Sequence, residues 1–325
     1  MFPKPVPLFS RTPPAIFPPI MGAFGLGIAW RRAGEVFGLP SAIGDLLLGA
    51  VTLLFVFAAV AYLAKVARRP GVVPEDLRIL PGRAGLSAGS LSVALLAAAL
   101  VPVAPDAARI ALMVAGGLHL TLAALVVYVL LSGPKEQRGV TPIWHLSFVG
   151  FILLPLSAAP LGYTALSTGI LYGTALMALG IYAVSLGQMI RRDPPPPLRP
   201  LLAIHLAPAS LVGTVSALLG HQALSLSAGA IAVLIAAALL VKARYLTESG
   251  FSPLYGAFTF PSAAFAGMLM LLSILGWGPA NGAAAGALGA FVLVLASAIV
   301  PVILVKVLQL WARGQLAVKT NAAAA

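Results

Sequence analysis

The side chains able to do chemistry are few, and their placement argues against a reaction. All eight acidic residues (Glu35, Asp45, Glu75, Asp76, Asp106, Glu136, Asp193 and Glu248) fall between long apolar stretches or at their ends. No carboxylate pair is therefore available inside those stretches for general acid–base work, and no mid-stretch acid is available to bind a coupling ion. Of the four histidines, His119, His145 and His205 lie in apolar stretches or open one, and His221 follows one. None has a partner at zinc-site spacing, and HExxH is missing. A lone histidine in an apolar helix commonly hydrogen-bonds a neighbouring helix, the alternative for His205 being a titrating role. Ser216 and His221 lie close in sequence, but a five-residue step is poorly matched to one helical face, and no oxyanion-forming glycine motif surrounds the serine. With no cysteine, a disulfide, a thiolate metal site and a redox thiol pair are excluded. Neither cofactor nor metal is expected, and an enzyme is not expected. Passage of a solute is.

The elements that carry these residues follow from composition. Of 325 residues, 60% are apolar and 9% charged, a mix that a water-exposed surface cannot accommodate. The apolar stretches have the length a helix needs to cross a hydrocarbon core of about 30 Å. Alternation of the kind that marks a membrane barrel is missing, so the expected class is all-α. Ten spans are predicted, near residues 14–30, 43–65, 84–104, 107–131, 142–163, 165–190, 199–220, 224–245, 254–277 and 283–311. Residues 1–13 form an N-terminal segment whose prolines, from Pro3 to Pro13, rule out a secretory h-region; 14–313 form the membrane domain and 314–325 a tail.

Basic residues alternate with these spans. Seventeen of the 20 fall on one face: Lys4, Arg11, the groups from Lys65 to Arg83, Lys135, Arg138, Arg191, Arg192, Arg199, Lys242, Arg244, Lys306, Arg313 and Lys319. Only Arg31, Arg32 and Arg109 fall on the other. The positive-inside rule then puts both termini in the cytoplasm of a multi-pass protein of the inner (plasma) membrane. The same rule and anionic lipid account for the net charge of +12, so lipid and not nucleic acid is the expected partner of that charge.

Proline marks a repeat. Pro155, Pro208 and Pro261 recur at 53-residue intervals, about two helices and their turns, and Pro18 and Pro19 occupy the first span. Five hairpins in one orientation would give ten spans. Bent odd helices belong inside, where protein or water meets the freed backbone groups, and even helices outside. The tetraproline Pro194 to Pro197 is expected to be a stiff, extended connector.

Three segments on the proline-bearing odd spans carry a family resemblance: Thr141-Pro142-Ile143-Trp144 through Gly150 to Leu154-Pro155-Leu156, Arg199-Pro200 through Ala207-Pro208-Ala209-Ser210, and Tyr255-Gly256-Ala257-Phe258-Thr259-Phe260-Pro261. With Met21-Gly22 through Gly27 to Trp30, they resemble the tellurite-resistance and dicarboxylate transporter family, which includes the bacterial TehA proteins and the slow-type anion channels of plant guard cells. The resemblance implies a homotrimer, each protomer having its own pore inside five kinked helices. It also implies that Phe260 plugs the pore and that Pro261 provides the bend. The family's usual Phe-Gly-x-Pro-x-Gly reads Phe17-Pro18-Pro19-Ile20-Met21-Gly22 here, so a proline has moved and a glycine is lost, which alters the expected pore width near Pro18.

The expected activity is passive conduction of small inorganic anions through a narrow apolar pore, with Gly22, Ser157, Ser210, Thr214, Thr259 and His205 as further pore-lining candidates. The alternatives are a C4-dicarboxylate carrier or a tellurite or sulfite exporter, and, in a different class, a membrane anchor that passes nothing. Arginine or lysine, which a dicarboxylate site wants, is missing from the middle of every span.

Overall fold

The structure is a computed structural model that describes residues 7–325; Pro3, Lys4 and Pro5 lie outside the described residues. Among the described residues all regular structure is helical. The principal helices are α1 (Phe17–Phe37), α2 (Ala42–Arg68), a short α3 (Val72–Arg78), α4 (Leu80–Leu100) and α5 (Pro105–Ser132). A composite segment follows, built from a π turn (His145–Val149), a 3-10 turn (Gly150–Leu153) and α6 (Pro155–Ala158). After it come α7 (Thr164–Arg191), α8 (Leu206–Leu218), α9 (Gln222–Val241), α10 (Ala243–Leu246), α11 (Thr259–Ile274), α12 (Ala283–Ala312) and α13 (Gln315–Lys319).

Eight of these helical segments are long and apolar enough to cross a membrane. They divide sharply by burial. Within an 18-residue stretch, 72–89% of residues are buried in α4, in α8 with its leading turn and in α11 with its own, against 22–33% in α2, α5, α7, α9 and α12. The second group turns residues such as Leu53, Leu131, Leu176 and Leu234 outward, as a lipid-facing surface requires. Two expected spans fall short of the same criterion. His145–Ala158 is shorter, and α1 is diluted by Arg31, Arg32 and Glu35. Both arginines lie inside α1, not in the loop where hydropathy puts them. Arg31 pairs with Asp45 at 2.6 Å and donates to the Ala99 carbonyl, and Arg32 donates to the Gly267 carbonyl at 2.8 Å.

The buried segments contact one another in cyclic order: α1 on α4, α4 on the composite segment, that segment on α8, α8 on α11, and α11 back on α1. Each also packs against the helix that follows it in sequence, α2, α5, α7, α9 or α12. α1 and α11 approach closely where Gly22 permits it: a Cβ there would sit 2.3 Å from the Cβ of Thr259.

The prolines act differently from interior kinks. Pro18, Pro19, Pro155, Pro208 and Pro261 all stand in the first turn of an α-helix, where the missing N–H has no intrahelical partner to lose. The irregularity lies in what precedes them. Tighter 3-10 turns, Pro14–Ile16, Gly150–Leu153, Pro196–His205 and Pro253–Phe258, lead into those helices. Proline is also not confined to the inner set, since Pro301 lies inside the outward-facing α12. Of the tetraproline, only Pro194 and Pro195 precede the 3-10 turn; Pro196 and Pro197 begin it.

One end of the molecule is fastened by a buried ion pair. Lys65 and Asp76 meet at 2.8 Å with both side chains wholly buried. Tyr62 donates to the same carboxylate at 2.9 Å, and the backbone N–H of Ala323 donates to its other oxygen. Lys65 also donates to the Thr12 carbonyl. This network joins the segment before α1, α2, α3 and the tail, although hydropathy reads Lys65 and Asp76 as loop residues.

Candidate functional site

The ring of buried segments encloses a narrow cavity of about 60 Å³. All five segments contribute. Pro18 and Met21 come from α1, and Pro81, Ala84 and Leu91 from α4. The composite segment adds His145, Val149 and Leu153; the turn leading into α8 adds Ile204, and α8 itself adds Pro208 and Leu211. Gly256, Ala257, Phe260 and Pro261 complete the wall. Among the lining residues only His145 has a side chain that can hydrogen-bond, and none carries a fixed charge. A space this small and this apolar offers a hydrated ion no replacement for its water.

Phe260 is buried against the cavity, and its position is set from behind by α1. A methyl built on Gly25 would lie 3.1 Å from the ring's Cδ2 and 3.2 Å from Cε2, so a bare glycine is what lets the ring settle on that helix. Gly256, one turn earlier, lets the leading turn approach α1: a Cβ there would lie 2.9 Å from the Cβ of Pro18.

The remaining residues singled out by sequence lie around the cavity and do not border it. Pro19 and Pro155 pack behind the lining. Gly22 serves the contact with Thr259. The hydroxyls are turned onto backbone: Ser157 donates to Leu154, Ser210 to Leu206, Thr214 to Ser210, and Thr259 to Gly256 and Pro18. Such bonds satisfy a hydroxyl in a helix without a ligand. His205 faces His145, at 3.0 Å between Nδ1 and Nε2, and Ser185 of α7, at 2.9 Å from its Nε2. His145 therefore joins the site from a segment where hydropathy gives it no special mark. Ser216, weighed above as a nucleophile, is buried without a hydrogen-bond partner, and no bond joins it to the His221 ring. Among the described residues no cluster of three or more potential metal ligands occurs.

Charged groups gather away from the cavity. Arg199 pairs with Asp193 at 2.9 Å and with Glu248, and its guanidinium stacks 3.9 Å over the ring of Tyr245. The Tyr245 hydroxyl donates to Asp193, and desolvation together with that bond pushes the phenol up from its ordinary value. These contacts hold the stretch before α8 against α10.

No curated protein matches the chain. Comparison with known families matches residues 11–308 to the SLAC1 family, described as a voltage-dependent anion channel. That match begins ahead of α1 and ends within α12, so it takes in the ring, its cavity and every helix packed around them: this chain belongs to the SLAC1 family of voltage-dependent anion channels.

Proposed function

We propose that the protein is a passive channel for small monovalent inorganic anions, that the path runs through the central cavity, and that Phe260 closes it at rest. The observation that carries this reading is the apolar, charge-free wall contributed by all five ring segments, with the Phe260 ring and Pro261 side by side in it. A bulky ring in so narrow a passage blocks ions by exclusion and dewetting and can be displaced by a rotamer change or a small helix shift. In such a path dehydration sets the order of permeation, so nitrate and iodide should pass more readily than chloride, and divalent anions poorly.

In this reading the chain crosses the bilayer ten times, as five hairpins of one orientation with both termini in the cytoplasm. α1 and the composite segment cross within the shelter of the ring, where their charges and irregular backbone are met by protein. The assembly is a homotrimer of separate pores, a reading supported by family membership, and light scattering of the solubilised protein would contradict it by returning a monomer. A C4-dicarboxylate carrier is disfavoured because no lysine or arginine borders the cavity. Tellurite or sulfite export uses the same path with a different anion. The test is flux into liposomes: Phe260→Ala should pass nitrate far faster than the unaltered protein, and equal flux from both would overturn the gate.

A further inference from the structure

We propose that His145 is the anion-coordinating side chain of the cavity, presenting an Nδ1–H that His205 and Ser185 hold in place. The inference rests on the reading of the cavity as an anion path. His145 is the one lining side chain able to hydrogen-bond, it is buried, and its Nδ1 has no partner in the protein. It sits in the one π turn among the described residues, an irregular backbone element that recurs at functional sites.

The tautomer follows from the chain of contacts behind it. Ser92, Ser210 and Ser227 each donate to the carbonyl four residues back in their helices. Ser185 makes no such bond; its one partner is His205 Nε2, at 2.9 Å. The serine proton therefore goes to the ring, which makes Nε2 of His205 an acceptor and puts the His205 proton on Nδ1. That proton is donated across 3.0 Å to His145 Nε2, so His145 carries its own proton on Nδ1. Tyr182 fixes the pair from the side of α7, donating to the His205 carbonyl at 2.6 Å with its ring 4.9 Å from His145.

The result is a lone N–H donor on the one hydrogen-bonding side chain of this wall, itself closed off from the space at rest, so that an anion meets it when the wall moves. A buried donor without an acceptor is unfavourable, and a partly dehydrated monovalent anion removes that cost. A cation meets the positive end of the N–H dipole and gains nothing. One donor also compensates poorly for stripping water from a divalent anion. His145 is thus a coordinating residue, and His205 and Ser185 are positioning residues that act through it.

Two measurements test this. In lipid, ¹⁵N spectra of histidine-labelled protein, which has four histidines, should show His145 as the Nδ1–H tautomer, and Ser185→Ala should mix the tautomers although Ser185 acts only through His205. An Nε2–H tautomer at His145 in the unaltered protein would overturn the proposal. In a Phe260→Ala background, His145→Leu should lower chloride flux about tenfold. His145→Asn, whose amide N–H stands near the Nδ1 position, should keep flux within about threefold, and His145→Gln, which reaches only the Nε2 position, should fall with leucine. Unchanged flux in His145→Leu, or equal losses in Asn and Gln, would refute the assignment. Should Phe260→Ala itself pass no anion, the channel reading fails, and the spectra still decide the tautomer.

Discussion

Gly25 offers a way to disturb Phe260 without touching it. In Gly25→Ala the new methyl would stand 3.1 Å from Cδ2 and 3.2 Å from Cε2 of the ring, and 3.2 Å from the Cβ of Ala263. Carbon atoms pack best at about 3.5 to 4.0 Å, so the ring must give by a few tenths of an ångström. Overpacking of this kind costs about 1 to 3 kcal/mol, and a ring free to shift puts the cost near the lower end, about 1 kcal/mol. The helical preference for alanine acts equally whether the pore is open or shut and drops out of the comparison. The cost falls on the state in which the ring rests against α1, so the closed state loses about 1 kcal/mol relative to any state in which the ring has left. At about 1.4 kcal/mol per factor of ten, anion flux should rise roughly fivefold. Iodide or nitrate uptake into liposomes, with matched protein content and a melting curve, reads the change. In a Phe260→Ala background the same methyl meets no ring, and its effect should vanish. Unchanged or reduced flux in Gly25→Ala, or the same rise in both backgrounds, would show that the ring against α1 does not hold the pore shut.

Two further perturbations probe the frame that holds the site. Gly22→Ala puts a methyl 2.3 Å from the Cβ and 2.9 Å from the backbone carbon of Thr259, and that backbone cannot rotate away; stability should fall by about 2 to 3 kcal/mol, and a melting temperature equal to the parent's would show that α1 and α11 are packed otherwise. Lys65→Met leaves the Asp76 carboxylate charged and wholly buried, with Tyr62 and the Ala323 N–H still bound to it. It should cost about 3 to 5 kcal/mol, with much of the loss recovered in Lys65→Met combined with Asp76→Leu. Chemical denaturation in detergent measures both, and a single variant no less stable than the double would contradict a buried pair.

Much of this architecture is legible in the residues. Apolar length marks the eight long spans, α2, α4, α5, α7, α9 and α12 together with α8 and α11 and their leading turns, because a hydrocarbon core sets a minimum length for each. The recurrence of Pro155, Pro208 and Pro261 marks the three segments whose leading turns line the cavity, and the motif ending at Phe260-Pro261 names two residues of its wall. What composition conceals is direction. Ser210 and Thr214 have the hydroxyls that a polar pore would use, yet both donate to their own helix, and nothing in a sequence distinguishes those two fates. Lys65 and Asp76 carry charges that hydropathy sends to solvent, but α3 folds them together out of water. Arg31 and Arg32 extend α1 beyond its apolar run because Asp45 and the carbonyls of Ala99 and Gly267 receive them. The pairing of His145 with His205 is equally hidden, since it joins residues far apart in the chain.

In the proposed channel, anions pass where Phe260 now stands. The most direct measurement is the current through Phe260→Ala in a planar bilayer under a chloride gradient, with nitrate then replacing chloride on one side. A large current compared with the unaltered protein is expected, with a reversal potential near that of chloride and a shift on substitution showing that nitrate is the more permeant. A reversal potential near that of the cation, or a current no larger than the parent's, would contradict the proposed channel.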